Sequence, residues 1–550
     1  MFKTRLVSSM EKGFLDSNIA AFPTYNRCRA LRGMQTSFQL FSTETEAFVR
    51  RTRFMDLRFS GDLLPYMQVR SVENVPSALA VYPGEFDDNY LRTAPGLYPD
   101  LLRELHYHGQ LIVSSGQLRA LWFDITVPAD APLSAGEHTL TVEVLYEGEV
   151  QAEQTFTVDL VDAALPESDF RVTQWFHPDC LADYYHVPIY SERHWEIMEN
   201  FIRTAVKNGI TLLLTPVFTL ALDTEIGGER PTTQLVDVTV ENGQYRFGYQ
   251  LFDRWVEMCQ RAGVRYFEIS HLFTQWGAAH APKVMATVDG EYRRIFGWDT
   301  DAHGAEYGAF LDAFLPDFVA HVKAMGIDKL CYYHISDEPH VEHIENYTHA
   351  KQMISKHLQG YTIIDALSAY SYYEQGLVQS PVVASNRIES FLGKGIEDLW
   401  VYYCCGQNLG VSNRLFAMPG WRTRYMGVQM YYYDVKGFLQ WGYNFYYTRL
   451  SIDLINPFAD STGEYFVPSG DTFSVYPADD GTALESMRLL QFREGLEDMT
   501  LCRMAEQKCG RAAVLDAIEE CCGKVVFGDC IRCAKPLLAL REKLFAMLAQ

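Results

Sequence analysis

The sequence lacks long apolar segments. The longest apolar runs, such as Leu212–Val217, are far shorter than the roughly 20 residues that a membrane-spanning helix needs. The N-terminal residues also lack the apolar stretch and small-residue cleavage site of a signal peptide. We therefore expect a soluble protein that is located in the cytoplasm and does not act at a membrane.

Positive charge is scarce as well. The 550 residues include 47 Lys and Arg against 70 Asp and Glu, which gives a formal net charge of −23. Nucleic acids and anionic lipids repel such a chain, so neither is a predicted partner. Because 48% of the residues are hydrophobic and 21% are charged, the chain is instead typical of a folded globular protein.

The twelve cysteines lack the spacing of a metal site. Cys530 and Cys533 form one C-x2-C pair, but their upstream neighbours Cys521 and Cys522 are adjacent and chelate poorly. Thiols in the cytoplasm stay reduced, and most of these side chains are expected to pack as small hydrophobes. We predict no metal and no organic cofactor, with a structural zinc site in this tail as the alternative.

Three segments differ in their hydrophobic pattern. Residues 1–165 alternate apolar and polar side chains between turn signals, which predicts an N-terminal β-sandwich. Residues 166–460 alternate short β-rich runs with amphipathic helices, which predicts a (β/α)8 barrel of the TIM type. Residues 461–550 predict a small helical region packed on the barrel. The predicted fold class is therefore multidomain α/β.

Eight runs are candidate barrel strands. They are Arg171–Phe176, Thr211–Val217, Tyr266–Ser270, Leu330–Ile335, Tyr361–Leu367, Val382–Ser385, Leu399–Cys404 and Gly437–Trp441. A doubly wound open sheet is the alternative, but no G-x-G-x-x-G follows the first run. The segment Leu220–Gln250 resembles an inserted β-hairpin.

Active sites of such barrels lie at the C-terminal ends of the strands. Asp337 and Glu338 follow the fourth predicted strand. The ends of other strands carry side chains that could stack on a sugar or hydrogen-bond to it. These candidate substrate-binding residues are Trp175, His177, His271, Tyr402, Trp441 and Tyr443. The chain is also rich in aromatics, with 33 Tyr, 33 Phe and 9 Trp, which favours a saccharide ligand.

The adjacency of Asp337 and Glu338 constrains their use. A purely structural role would be a helix N-terminus with Pro339 in its first turn. In an ordinary retaining glycosidase two carboxyls face each other across the sugar, about 5–5.5 Å apart, which neighbours on one strand end do not easily achieve. When the sugar's own 2-acetamido oxygen is the nucleophile, one carboxylate can serve the acetamido N–H and the next can protonate the glycosidic oxygen. Tyr402 could then hydrogen-bond the acetamido oxygen.

Two other functions stay open. One is a retaining or inverting glycosidase for sugars without the acetamido group, with a distant carboxylate such as Asp299 or Asp434 as nucleophile. The other is a non-catalytic carbohydrate-binding protein built on the barrel. The intact carboxylate pair argues against the second of these.

Several ordered motifs resemble a known family. They are His334–Pro339, Gly437–Asn444, Tyr476–Gly481, Ser486–Arg488 and Arg493–Asp498, and together they are similar to proteins with domain of unknown function 4091, in or near glycoside hydrolase family 123. The cysteine-rich tail lies outside the resemblance.

The resemblance implies an exo-acting β-N-acetylgalactosaminidase that uses substrate assistance on an oligosaccharide or glycoconjugate fragment. It implies that Asp337 orients the acetamide and stabilises an oxazolinium-like intermediate, and that Glu338 is the acid and then the base. The sugar preference and the oligomeric state stay open.

Overall fold

The computed structural model describes residues 1–45, 52–105 and 107–549. Its N-terminal part is a sandwich of two five-stranded sheets, ordered β1-β3-β8-β5-β6 and β2-β10-β9-β4-β7. The strands are β1 Phe2–Ser8, β2 Arg27–Arg32, β3 Gln35–Glu44, β4 Arg53–Ser60, β5 Met67–Ser77, β6 Gly96–Arg103, β7 Leu111–Val113, β8 Leu118–Thr126, β9 Gly136–Tyr146 and β10 Glu149–Ala164.

Alternation of buried and exposed residues explains the sandwich. Along β9 the side chains of Leu140, Val142 and Val144 are buried between the sheets, as period-two patterning requires. Phe38 stacks on Phe123 and Phe156 in the same layer, with ring centroids 4.9 and 3.8 Å apart. The predicted N-terminal sandwich is confirmed.

The middle of the chain forms a closed barrel of eight parallel strands. In chain order the strands of this region are β11 Arg171–Gln174, β12 Leu212–Thr215, β13 Asp237–Glu241, β14 Gln244–Gly248, β15 Tyr266–Ile269, β16 Val284–Val288, β17 Glu291–Phe296, β18 Cys331–Tyr333, β19 Thr362–Ala366, β20 Ser380–Ala384, β21 Trp400–Tyr402 and β22 Gly437–Gln440. The barrel order is β11-β22-β21-β20-β19-β18-β15-β12, and Thr211 N donates to Val172 O at 3.0 Å across the remaining seam. Each barrel strand coincides closely with one of the eight predicted runs, so the barrel prediction is confirmed.

The helices do not alternate regularly with the strands. They are α1 Pro178–Tyr184, α2 Glu192–Lys207, α3 Gln250–Ala262, α4 Ala305–Ala324, α5 Ile344–Ser355, α6 Tyr370–Glu374 and α7 Gly420–Tyr432. Only a 3-10 turn, Ile388–Ser390, lies between β20 and β21, where Gly393 and Gly395 adopt positive φ angles of 70° and 72°. Glycines in that conformation end a helix, so this connection is not a complete β/α unit.

Two insertions between barrel elements form a separate four-stranded sheet of order β14-β13-β16-β17. The hairpin of β13 and β14 confirms the one predicted within Leu220–Gln250. The second hairpin, β16 with β17, was not predicted, and it joins the first through parallel pairing of β13 with β16.

The C-terminal region contains β23 Val475–Pro477, β24 Ala483–Glu485, α8 Met487–Cys509, α9 Arg511–Cys522 and α10 Lys535–Leu548. Buried ion pairs join α8 to the rest of the chain. Arg488 on α8 pairs with Asp100 on β6, and Arg424 on α7 pairs with Glu494 and Asp498 on α8. The helical C-terminal region is confirmed, whereas the domain boundaries at 165/166 and 460/461 stay predictions.

None of the helices in the described ranges combines the length and the apolar composition that a bilayer crossing requires.

Candidate active site

The segment 334–338, which follows β18, is fixed at every residue. Backbone N–H groups of this segment donate from Ile335 to Asp365 Oδ1 at 3.0 Å and from Glu338 to Ala366 O at 3.1 Å. Glu338 has a φ of +41°, in the left-handed region that costs a non-glycine residue about 1–3 kcal/mol. The surrounding hydrogen bonds hold the backbone in this conformation, which places Glu338 beside the cleft.

The neighbouring loop after β15 contributes further bonds to the same segment. Ser336 Oγ donates to Thr274 O at 2.8 Å, and Trp276 N donates to Asp337 O at 3.0 Å. No α-helix begins here, because the nearest helical turn is a 3-10 turn that starts at Val341. Capping of a helix therefore does not explain the carboxylate pair.

A cleft of about 720 Å³, including its open mouth, lies at the C-terminal end of the barrel. The structure brings six of the eight predicted site residues to its wall. They are Trp175, His177, Asp337, Glu338, Tyr402 and Trp441.

Asp337 and Glu338 are both partly exposed in the cleft and have different surroundings. Glu338 Oε1 accepts a hydrogen bond from the Tyr402 hydroxyl at 2.7 Å. Among the residues that the structure describes, none donates a hydrogen bond to the Asp337 carboxylate, which leaves its oxygens available to a ligand. Burial, and then the charge of Glu338, raise the pKa of Asp337 well above 3.8.

Trp441 faces the cleft, and its neighbour Gln440 faces away from it. Asp471 Oδ2 accepts from Trp441 Nε1 at 2.9 Å and thereby fixes the ring orientation. Burial raises the pKa of Asp471 to about 6, although the charge of Arg414 and the hydrogen bond from Trp441 both lower it. The Gln440 side chain is fully buried on the other face of the strand, where it accepts a hydrogen bond from Arg414.

His177 and Trp175 contribute ring surface to the cleft, because their polar atoms are already bonded within the protein. His177 Nε2 lies 2.9 Å from Trp441 O, and Arg230 Nη2 lies 3.1 Å from His177 Nδ1. Burial and the charge of Arg230 lower the pKa of His177 to about 3, so this imidazole is neutral. Trp175 Nε1 donates to Glu268 Oε1 at 2.7 Å.

His271 and Tyr443 are not brought into the cleft. The Tyr443 hydroxyl donates to Phe201 O at 2.9 Å, in the core beneath α2. His271 is 2% exposed and stacks on His334, with ring centroids 4.1 Å apart. Contact with a sugar hydroxyl is therefore not available to either side chain in this conformation.

The cleft is also lined by residues that the sequence did not indicate as site residues, among them Asp223, Trp276, Cys404 and Cys405. Trp276 is 43% exposed on the loop after β15, and its position some residues beyond a strand end was the only sign in the sequence that it could reach the cleft. Asp223 lies in the first insertion, where burial raises its pKa to about 6. Cys404 and Cys405 lie just beyond Tyr403 at the end of β21, and this position near a strand end was the available signal in the sequence.

The carboxylates named for a conventional glycosidase lie elsewhere. Asp299 pairs with Arg294 and Asp434 pairs with Lys436, and both side chains are more than half exposed outside the cleft. Among the described residues the carboxylates that line the cleft are Asp223, Asp337 and Glu338.

One buried group has the composition of a metal site: His271, His334 and Asp365 have potential ligand atoms within 4.8 Å of one another. The imidazole planes, however, are only 20° apart. In-plane lone pairs on near-parallel stacked rings do not converge on one ion, and both nitrogens of His334 already contact carboxylates. This group does not fit a metal ion as it stands.

The cysteines of the tail do not form a comparable group within the described part of the chain. Cys530 is buried with its thiol 3.2 Å from Ser412 Oγ, whereas Cys533 is exposed.

Comparison with known proteins gives a consistent result. Residues 175–505 match the family model described as "Glycoside hydrolase 123, catalytic domain". The fold is similar to that of a family 123 glycoside hydrolase from Clostridium perfringens, with a TM-score of 0.76 and 14% identity over 100% of this chain and 99% of that one. A family 5 glycoside hydrolase from Bacteroides vulgatus aligns with a TM-score of 0.28 and 10% identity over 53% of this chain and 61% of that one, a similarity too low to support any inference. No curated protein sequence matches the chain.

Proposed function

Because this chain belongs to glycoside hydrolase family 123, we propose that it is an exo-acting β-N-acetylhexosaminidase that uses substrate assistance. One observation carries the proposal: two adjacent carboxyl groups face the same cleft, one held by Tyr402 and the other free to accept from a ligand. This asymmetry suits two different tasks on neighbouring groups of one sugar.

In the proposed first step the substrate's acetamido oxygen attacks C1 and the bond from C1 to the glycosidic oxygen breaks. Glu338 donates its proton to the departing oxygen. Asp337 accepts a hydrogen bond from the acetamido N–H and stabilises the positive charge of the oxazolinium-like intermediate. Water then attacks C1 as the bond from C1 to the acetamido oxygen breaks, and Glu338 takes a proton from the water, which restores both the acetamido group and the enzyme.

The cleft walls support a sugar ligand. Trp441, with its indole N–H held by Asp471, is the proposed stacking surface, and Trp175 also lines the cleft. The Clostridium perfringens relative is described in terms of glycolipid glycan hydrolysis. We accordingly propose an oligosaccharide or glycoconjugate glycan as substrate, with N-acetylgalactosamine as the cleaved residue. All twelve cysteines are free thiols, which supports the proposed location in the reducing cytoplasm.

A panel of 4-nitrophenyl β-glycosides tests the proposal. It contains the N-acetylgalactosaminide, the N-acetylglucosaminide, the galactoside and the glucoside. We expect hydrolysis of an acetamido sugar and little of its 2-hydroxy counterpart. Equal hydrolysis of the two would contradict substrate assistance, and Asp223 would then be the carboxylate to test as nucleophile through Asp223→Asn.

Two variants separate the roles of the pair. Glu338→Gln should lose about 10²–10⁴-fold on substrates with poor leaving groups and less on nitrophenyl glycosides, which need little protonation to depart. Asp337→Asn should lose activity whatever the leaving group, and it should bind a thiazoline analogue of the intermediate more weakly.

Matched control variants are available on the same chain. Glu342→Gln changes an exposed carboxylate four residues beyond Glu338, and Asp434→Asn changes an exposed one that precedes β22. Both should retain wild-type rates. Identical leaving-group dependence in Glu338→Gln and Asp337→Asn would contradict the division of roles.

A further inference from the structure

We propose that His334 is a positioning residue: a positively charged imidazole, held between Glu268 and Asp365, that fixes the segment 334–338 and favours the ionised form of Asp337. The inference rests on the proposed function, because that mechanism requires an ionised Asp337. His334 is buried and is not part of the cleft lining, so its charge acts on Asp337 without contact with the substrate.

The two carboxylate contacts of His334 suit a ring that carries two protons. His334 is fully buried, with Nε2 2.7 Å from Glu268 Oε1 and Nδ1 3.1 Å from Asp365 Oδ1. A neutral imidazole carries one N–H, so it can donate to only one carboxylate, whereas the cation donates to both.

Each carboxylate also accepts hydrogen bonds from other donors, which hold it in place beside the His334 ring. Glu268 accepts from Thr173 Oγ1 at 2.5 Å and from Trp175 Nε1 at 2.7 Å. Asp365 accepts from the Tyr347 hydroxyl and from the backbone N–H of Ile335. Burial raises the pKa of Asp365, and the hydrogen bonds from His334 and Tyr347 oppose that rise.

The balance of these effects leaves the charge on His334. Burial alone would lower the pKa of His334, but the hydrogen bonds and charges of Asp365 and Glu268 outweigh it and raise the value to about 9. Burial and the charge of His334 lower the pKa of His271, whose ring stacks against it. A neutral ring face against a cation is an attractive arrangement.

His334 acts on Asp337 in two ways, through the hydrogen bonds of Asp365 and through its charge. Asp365 holds the His334 ring and the backbone N–H of Ile335 together, and so fixes the chain two residues before Asp337. Through space, the positive charge of His334 favours the ionised form of Asp337, which burial and the charges of Glu338, Asp365 and Glu268 all disfavour. Removing the cation should leave Asp337 surrounded by negative groups only.

The test is the pH dependence of kcat/KM for His334→Gln on the acetamido glycoside. The amide has similar reach but no charge. We expect the acid limb, which reports ionisation of Asp337, to move upward by about one pH unit or more, with activity partly recovered at higher pH. His321→Gln, which alters a histidine–aspartate pair between α4 and α3, should keep the wild-type profile.

A loss of kcat that is equal at every pH would overturn the inference, because a merely structural role predicts it. If His334→Gln does not fold, Tyr347→Phe removes one donor from Asp365 and should shift the same limb by a smaller amount. An unshifted limb in a folded Tyr347→Phe variant would then count against the inference.

A spectroscopic measurement separates this inference from the proposed function. Nitrogen NMR of the ¹⁵N-histidine-labelled wild type should show His334 protonated on both ring nitrogens at pH 7.5. A neutral His334 would overturn the inference even if the enzyme prefers acetamido sugars. A doubly protonated His334 in an enzyme that lacks this preference would instead contradict the proposed function alone.

Discussion

Asp100→Ala should destabilise the whole protein, although Asp100 belongs to the sandwich and lies outside the barrel. Arg488 Nε and Nη2 donate to the Asp100 carboxylate at 2.7 and 2.9 Å, and the Tyr476 hydroxyl donates to it at 2.5 Å. Asp100 and Arg488 are both fully buried. The substitution therefore leaves a buried cation without its counter-ion.

The structure sets the size of this effect. Arg488 also donates to Gly470 O and Phe473 O, so the cation stays buried, but Asp100 no longer orients its guanidinium group. Removing one partner of a buried pair costs about 3–5 kcal/mol of the free energy of unfolding. Replacing both, as in Asp100→Leu with Arg488→Met, should cost less because no unpaired charge remains.

The effect should also reach the cleft. Arg488 holds Gly470, and the next residue, Asp471, orients Trp441. We therefore expect Asp100→Ala to raise KM more than it lowers kcat.

Urea unfolding followed by tryptophan fluorescence and by far-ultraviolet circular dichroism measures the stability change. Glu143→Gln, which breaks the exposed pair between Arg58 and Glu143 in the same sandwich, is the control and should shift the midpoint far less. The reasoning is refuted if Asp100→Ala shifts the midpoint no more than Glu143→Gln, or if the double variant is less stable than the single one.

Two further predictions concern acid stability and metals. Burial raises the pKa of Glu485, but the positive charges of Arg70 and Lys207 outweigh it and hold the pKa at about 2. The ionised carboxylate therefore contributes about 3 kcal/mol to the free energy of unfolding. This contribution is present above pH 4.5 and is lost as the pH falls toward 2. Melting temperatures of the wild type and Glu485→Gln should therefore differ at pH 6 and converge near pH 2, and a constant difference would contradict this. Chelation should leave activity and melting temperature unchanged. A stoichiometric metal at Asp337 or Glu338 would contradict the mechanism, whereas one confined to Cys521–Cys533 would indicate only a structural site.

The barrel was predictable because its strands are buried on both faces. Parallel strands of this kind appear as short, continuous apolar runs, and Leu212–Thr215 and Ser380–Ala384 are fully buried examples. The hairpin Val284–Phe296 was missed for the opposite reason. Most of its second strand is exposed and carries charged side chains, so it has no apolar face to mark it.

The candidate site was predicted in part, with limits set by where the strands end. The carboxylate pair and Trp441 could be found because they lie within a few residues of the C-terminal end of a strand. Tyr443 has the same parity as Trp441, but β22 ends at Gln440 and the chain then turns at Gly442, against the backbone of Thr472. Asp223 and Trp276 reach the cleft from long loops, and position along a loop does not reveal direction in space.

The four-stranded insertion sheet has a consequence for how this enzyme can change. Its two hairpins come from different barrel loops, one after β12 and one after β15, and the parallel pairing of β13 with β16 joins them. Deleting or exchanging one hairpin would leave the other with an unpaired edge, which invites aggregation. Loop exchange in directed evolution should therefore transfer both segments together, and natural variation in one should be accompanied by variation in the other.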